Sequence, residues 1–384
     1  MITPTAPVRQ YDRQSAPGSS FHSDSSNLDI IRATAVLSVF FAHLYDIWTG
    51  KESMIGWHFA QMGVLVFFVH TSMVLMLSLE RTKLEGKALF GSFYLRRFFR
   101  IYPFSMFCVT LAMVLGRAPE MAAPIRHWHW LEYLSNLMLT TNLTYTDNMV
   151  GGLWTLPLEV QMYVALPFLF LLGRGRSTGA IALLWVLSVP LAILQLHTSG
   201  RLSVLGYAPC FIAGVIAWKL SLRVNRRFSG WLWPSAFIAT WPLFFVATHE
   251  NNMYFRWLFC LGLGLTIPWF QEIQFAPLKV AAHFVAKYSY GIYLSHIAVI
   301  MWVSSLPVPV ASRVVILALL AVIVPIAVFY LIEHPMIGVG QKLAKHIFHQ
   351  PSGLSGSPLA VSITTVEWPK SQSSSSRKKP AEQA

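Results

Sequence analysis

The sequence predicts an all-α, polytopic membrane protein: a bundle of about ten transmembrane helices with both termini in the cytoplasm. Three observations predict it. Hydrophobic residues make up 55% of the 384 residues and charged residues only 12%, against about a quarter charged in soluble domains. Apolar windows recur along most of the chain, long enough to cross a bilayer, which takes about 20 residues. Lys and Arg are rich in alternate loops and sparse in the others, the mark of a fixed orientation in the membrane.

The expected spans are 28–48, 60–79, 101–116, 154–172, 179–196, 204–220, 231–247, 254–271, 286–305 and 311–332. With the N-terminus inside, the outward loops hold Lys51, Arg117, Arg126, Arg201, Arg256 and Arg313, six of the 29 basic residues. The inner loops hold Arg81, Lys83, Lys87, Arg96, Arg97 and Arg100, then Arg223, Arg226 and Arg227. The net charge of +13 is therefore largely a topology signal, and no nucleic-acid partner is expected. Residues 1–27 are polar and lack the apolar core and cleavage site of a signal peptide, so the first span reads as an uncleaved anchor. The domain reading is a disordered cytoplasmic N-terminus (1–27), a membrane domain (28–335) and a largely disordered cytoplasmic tail (336–384). Such a chain sits in the cell (inner) membrane, with the lipid bilayer as its solvent. Cys108, Cys210 and Cys260 lie in apolar spans without metal-ligand spacing, so no metal is expected. The loop 117–152, with Trp128 and Trp130, reads as an interfacial aromatic belt or as a lid facing a sugar.

Polar residues inside the spans point to chemistry. An ionisable group in lipid costs about 2.5–3.5 kcal/mol on insertion scales, so it lines an interior site by default. Arg32 and His43 in the first span are separated by close to three helical turns, on one face and about 16 Å apart along the axis. Asp46, three residues on, is within reach of His43. A carboxylate beside an imidazole fixes its tautomer and stabilises its protonated form, which makes His43 a candidate general base. Arg96, Arg97 and Arg100 stand at i, i+1 and i+4 at the start of the third span. Clustered guanidiniums suit phosphate, and equally serve as a positive-inside anchor. Glu159 and Tyr163 share a face of the fourth span, and counting depth from the ends puts Glu159 level with His43. Glu159 then pairs with His43, binds a hydroxyl, or ties helices together. Ser289, Tyr293 and His296 form a polar stripe in the ninth span, for substrate or for packing. His70 reads as a packing histidine, and Glu333 with Pro335 as a helix stop or a partner for a basic loop.

In their order, these residues resemble the acyltransferase 3 family of integral-membrane O-acyltransferases. The marks are Arg32 and His43 with ten residues between, Arg97-x-x-Arg100 before Ile-Tyr-Pro, Leu153-Trp154 with Glu159, and Ser289-Tyr290 with Tyr293 and His296. The second span departs from the family pattern: Leu65 stands where many members carry an acid, and Thr71-Ser72 where they carry Ser-Gly. The resemblance implies transfer of an acyl group, most simply acetyl, from acyl-CoA to a hydroxyl of a cell-surface glycan or similar small-molecule acceptor. It implies no permanently bound cofactor, acyl-CoA being the donor substrate. It assigns catalysis to His43 and acyl-CoA handling to Arg97 and Arg100; the residues themselves add Asp46 or Glu159 to orient His43, and Arg96 beside the other two arginines. Arg32, Trp154, Tyr293 and His296 are left for the substrates. The reading from another class is a proton-coupled transporter or flippase that uses His43, Asp46 and Glu159 as a relay.

Overall fold

The structure is a computed structural model describing residues 25–50, 54–115, 128–198, 200–226, 228–233 and 253–348. Twelve α-helices are named here: α1 Ser26–Thr49, α2 Met54–Arg81, α3 Gly86–Leu115, α4 Trp130–Leu137, α5 Thr141–Thr144 and α6 Thr155–Gly173, then α7 Thr178–Thr198, α8 Ser203–Ser221, α9 Met253–Thr266, α10 Ala276–Ser304, α11 Val310–Val328 and α12 His334–Phe348. The fold is all-helical, with no strand among the described residues; a lone bridge joins Phe228 to Phe270.

Seven helical stretches among the described residues are long and apolar enough to cross a membrane: α1, α2, α3, α6 with the turn before it, α7, α8, and α11 running into α12. Most of the expected seventh span, 231–247, lies outside the described residues. The expected eighth span, 254–271, is a 14-residue helix closed by a 3₁₀ turn over Ile267–Trp269. The expected ninth lies within α10, which is 29 residues long but carries His283, Lys287 and His296.

Helix α1 opens on a cap. Ser25 accepts from the Leu28 N–H and donates to Glu272 at 2.6 Å, satisfying one of the orphan donors of a helix start. Glu272 also takes the Asn27 N–H at 3.0 Å and pairs with Arg226 at 2.7 Å. The first turn of α1 is thus bolted to the segment leading into α10. At the other end Gly50 adopts φ +64°, the left-handed conformation that closes a helix without a Cβ clash.

Most of α2 is buried, with α1, α6, α8 and α9 against it. Apolar side chains gain little by leaving lipid, so close backbone approach through small residues does much of the holding. A Cβ on Gly63 would come within 2.5 Å of the Ala35 carbonyl oxygen of α1, and one on Gly214 of α8 would collide with the Val69 carbonyl of α2. Gly214→Val is therefore expected to destabilise the bundle by about 1–3 kcal/mol. A lower melting temperature in detergent checks this, and unchanged melting would show that the two helices have room to part.

Two expectations about boundaries are corrected. The third span begins at Gly86, so Arg96, Arg97 and Arg100 lie in the middle of a continuous 30-residue helix rather than at its start. Glu333 and Pro335 do not stop the last span. A π turn over Phe329–Glu333 carries the chain into α12, whose face packs on α3 through Gly340 against Phe99. Proline crowds the carbonyl four residues back, and a widened turn ahead of it relieves that clash. The helix therefore extends past the expected boundary at 335 to Phe348.

Candidate active site

Helices α1 and α10 lie side by side and parallel, and three cross-helix contacts set their register. Asp29 meets His283 at 2.9 Å, Arg32 Nε donates to Ser289 Oγ at 2.6 Å, and His43 meets His296 at 3.3 Å. A cavity opens at each end of this seam. The first, of about 390 Å³, is lined by Asp29, Arg32, His70, Arg81, Arg97, Arg100, His283 and Lys287. The second, of about 450 Å³, is lined by His43, Trp57, Gln61, Trp154, Tyr207, Arg256, Tyr293 and His296.

The first cavity is strongly basic. Arg32 is held by Ser289 and lies over the Phe67 ring, 5.9 Å from its centre. Arg100 pairs at 3.4 Å with Glu333, whose side chain is fully buried. Arg97 reaches the cavity with its buried Nε unpartnered, and Arg96 Nε is likewise buried and unpartnered. Buried donors left unsatisfied are costly and call for an explanation, which an anion at this site would supply. Arg96 does not line the cavity itself. It faces a narrow adjoining cleft with Ser78, Thr82 and Ser92, whose wall Arg97 shares.

In the second cavity, carbonyl oxygens decide the state of the histidines. His43 Nδ1 stands 2.8 Å from the Val39 carbonyl, and His296 Nδ1 stands 2.6 Å from that of Tyr293. A carbonyl only accepts, so in each neutral ring Nδ1 carries the hydrogen and Nε2 the lone pair. His43 Nε2 is then a base in a ring that lines the cavity. His296 Nε2 turns its lone pair toward the His43 Nδ1–H, with ring centres 5.0 Å apart. Between the cavities, the Tyr293 hydroxyl bonds Thr155 at 2.7 Å and its ring lies 6.2 Å from Phe67. Gly152 permits this: a Cβ there would come within 3.2 Å of the Tyr293 carbonyl oxygen.

The structure thus gathers Arg32, Arg97 and Arg100 at one cavity and His43, Trp154, Tyr293 and His296 at the other. Asp46 is one turn beyond His43, a charged neighbour of its ring, with its carboxylate against Gly56 of α2. Glu159 accepts from Tyr163 at 3.3 Å, and its charged neighbours are Arg32, Arg97 and Arg100. It belongs to the arginine group and not to His43. Two residues are newly prominent. His70, expected to be packing, lines the basic cavity while only 3% exposed. Arg256, expected in an outward loop, is 4% exposed in the wall of the histidine cavity, its guanidinium 5.0 Å from the centre of the Trp57 ring. An ionisable residue inside an apolar span was the available signal for both, Arg256 standing near the start of the expected span 254–271.

A multi-pass helical membrane protein with a basic cavity at one end of a helix and a histidine base at the other is the class that fold and site define. Residues 25–333 match the model of the acyltransferase 3 family, described as an acyltransferase domain, and the chain belongs to that family. No curated protein and no solved structure matches it.

Proposed function

We propose that this protein moves an acyl group, most simply acetyl, from acyl-CoA to a hydroxyl of a cell-surface glycan or a similar small acceptor. The observation that carries the proposal is the pairing of two cavities along α1, one rich in guanidinium groups and the other holding a histidine with a free lone pair. In this reading the CoA phosphates bind Arg97 and Arg100, with Arg96 supporting from its cleft, because planar guanidiniums match phosphate oxygens in a fixed fork. Arg32 meets the donor as it passes toward the second cavity, and Tyr293, Trp154 and His296 shape the place where thioester and acceptor meet.

The chemistry then needs one base. His43 Nε2 takes the hydroxyl proton as the oxygen attacks the thioester carbonyl. Collapse of the tetrahedral intermediate breaks the C–S bond, and the same proton leaves on the CoA sulfur. Holding the two substrates in line supplies much of the rate, and the base adds about 10²–10⁴-fold. Asp46 and Glu159 serve from outside this contact, Asp46 at the end of α1 and Glu159 by balancing the charge of the arginines. In this reading the arginine cavity and both termini face the cytoplasm, where acyl-CoA is made, and the acceptor side faces outward, which the distribution of Lys and Arg among the loops supports.

The test is direct. Purified protein in lipid vesicles is given acetyl-CoA labelled in the acetyl group and a panel of surface glycans. Label appearing as an ester on a glycan is the expected result. Label that stays on CoA with every acceptor, while a pH gradient drives glycan across the membrane, would show a transporter instead.

A further inference from the structure

We infer that His296 is a positioning residue for His43, doing with a neutral ring what a carboxylate does beside a catalytic histidine in water-soluble enzymes. The inference rests on the acyl-transfer reading for its consequence, but its basis is geometry. Val39 and Tyr293 carbonyls fix both rings as Nδ1–H tautomers. His296 therefore presents a lone pair, and not a hydrogen, to His43 Nδ1 at 3.3 Å. The ring of His296 is 3% exposed and cannot swing away. It is carried one turn beyond Tyr293, which is anchored in turn to Thr155 at 2.7 Å.

When His43 Nε2 accepts a proton, the charge spreads to Nδ1–H, and that hydrogen is shared between two acceptors, the Val39 oxygen and His296 Nε2. The proton has no reason to move on. Passing Nδ1–H to His296 would leave a His43 lone pair facing the Val39 oxygen, and would put a charge on a ring enclosed in helices. Only the Nε2 proton moves, from hydroxyl to His43 and then to the departing sulfur. A neutral acceptor also suits the setting, because an ionised carboxylate at this depth would cost more to bury. Sequence position gave His296 to the substrate; its contacts give it to the base.

The experiment uses the full chain in lipid nanodiscs with acetyl-CoA as donor and water as acceptor, read as release of the CoA thiol. His296→Leu is expected to lower kcat about 100-fold with KM for acetyl-CoA unchanged, the order of effect that follows loss of one hydrogen bond to a charged ring. His296→Gln, whose carboxamide oxygen can accept the same hydrogen, is expected to recover activity to within about fivefold of wild type. Nitrogen-15 spectra of histidine-labelled protein supply the second readout: the His43 Nδ1–H resonance of a hydrogen shared with a second acceptor in wild type and the Gln variant, and a resonance shifted to that of a ring bonded to the Val39 carbonyl alone in the Leu variant. Equal losses in the Leu and Gln variants, or an unchanged His43 spectrum in the Leu variant, would overturn the assignment. Should the Leu variant not fold, His296→Asn, too short to reach His43, replaces it in both measurements. Wild-type protein that releases no thiol to water or to any of the glycan acceptors would sink the acyltransferase reading instead, and the spectra alone would then decide the role of His296.

Discussion

His43→Ala is expected to lower kcat for acyl transfer by about 10²–10⁴-fold, the contribution of a positioned general base, while KM for acyl-CoA stays within about twofold. The expectation follows from where the ring sits. Its Nδ1 is occupied by the Val39 carbonyl and by His296, its Nε2 is not, and it lines a cavity of about 450 Å³ at the end of the seam far from Arg32, Arg97 and Arg100. Removing the ring takes away the acceptor for the hydroxyl proton but touches nothing that holds phosphate. The alanine variant should keep the wild-type melting temperature, since the side chain packs at the edge of a cavity. Wild-type kcat in a folded His43→Ala protein would refute the assignment of the base.

The second large effect is the mirror image. Arg97→Ala with Arg100→Ala is expected to raise KM for acyl-CoA by about 100-fold or more, each charge-assisted hydrogen bond contributing roughly 1.5–3 kcal/mol, with a smaller change in kcat. Arg97 enters the basic cavity with a buried, unpartnered Nε, and Arg100 is held there by buried Glu333. Arg96→Ala, facing the side cleft, should raise KM by less. Steady-state kinetics with acetyl-CoA and with desulfo-CoA as a competitor would separate these cases. A double variant with unaltered affinity for desulfo-CoA would place the phosphates elsewhere.

How much of this was legible in the sequence depends on what kind of information each feature needs. The helical membrane class followed from composition, because backbone groups in lipid must be satisfied within a helix. Arg32 and His43 could be placed on one face because both belong to α1, and helical periodicity fixes angles within a single helix. Periodicity says nothing about which helices are neighbours. The contact of His43 with His296, 253 residues apart, was invisible for that reason, and the sequence offered Glu333 a basic partner without saying that it is Arg100. Glu159 shows a second limit: counting residues from the expected span ends put it level with His43, whereas its charged neighbours are Arg32, Arg97 and Arg100, toward the other end of the seam. The boundaries failed where a helix carries charge: the arginines on α3 read as the start of a span, though the helix runs through them.

The π turn over Phe329–Glu333 has a consequence for how the molecule could be broken by the smallest of lesions. One surplus residue in a turn offsets everything after it by about 100° of rotation and 1.5 Å of travel. That offset is what lets a single continuous rod show greasy flank to lipid along α11 and then present Gly340 and Ala344 inward on α12. Deleting Tyr330 would restore the ordinary α-helical phase without removing any residue of either cavity wall other than through its shift. The carboxylate of Glu333 would be dialled away from Arg100, and Gly340 away from Phe99. Frame-preserving loss of one residue, far along the chain from the histidine, would then unseat the arginine cavity while leaving the histidine cavity untouched.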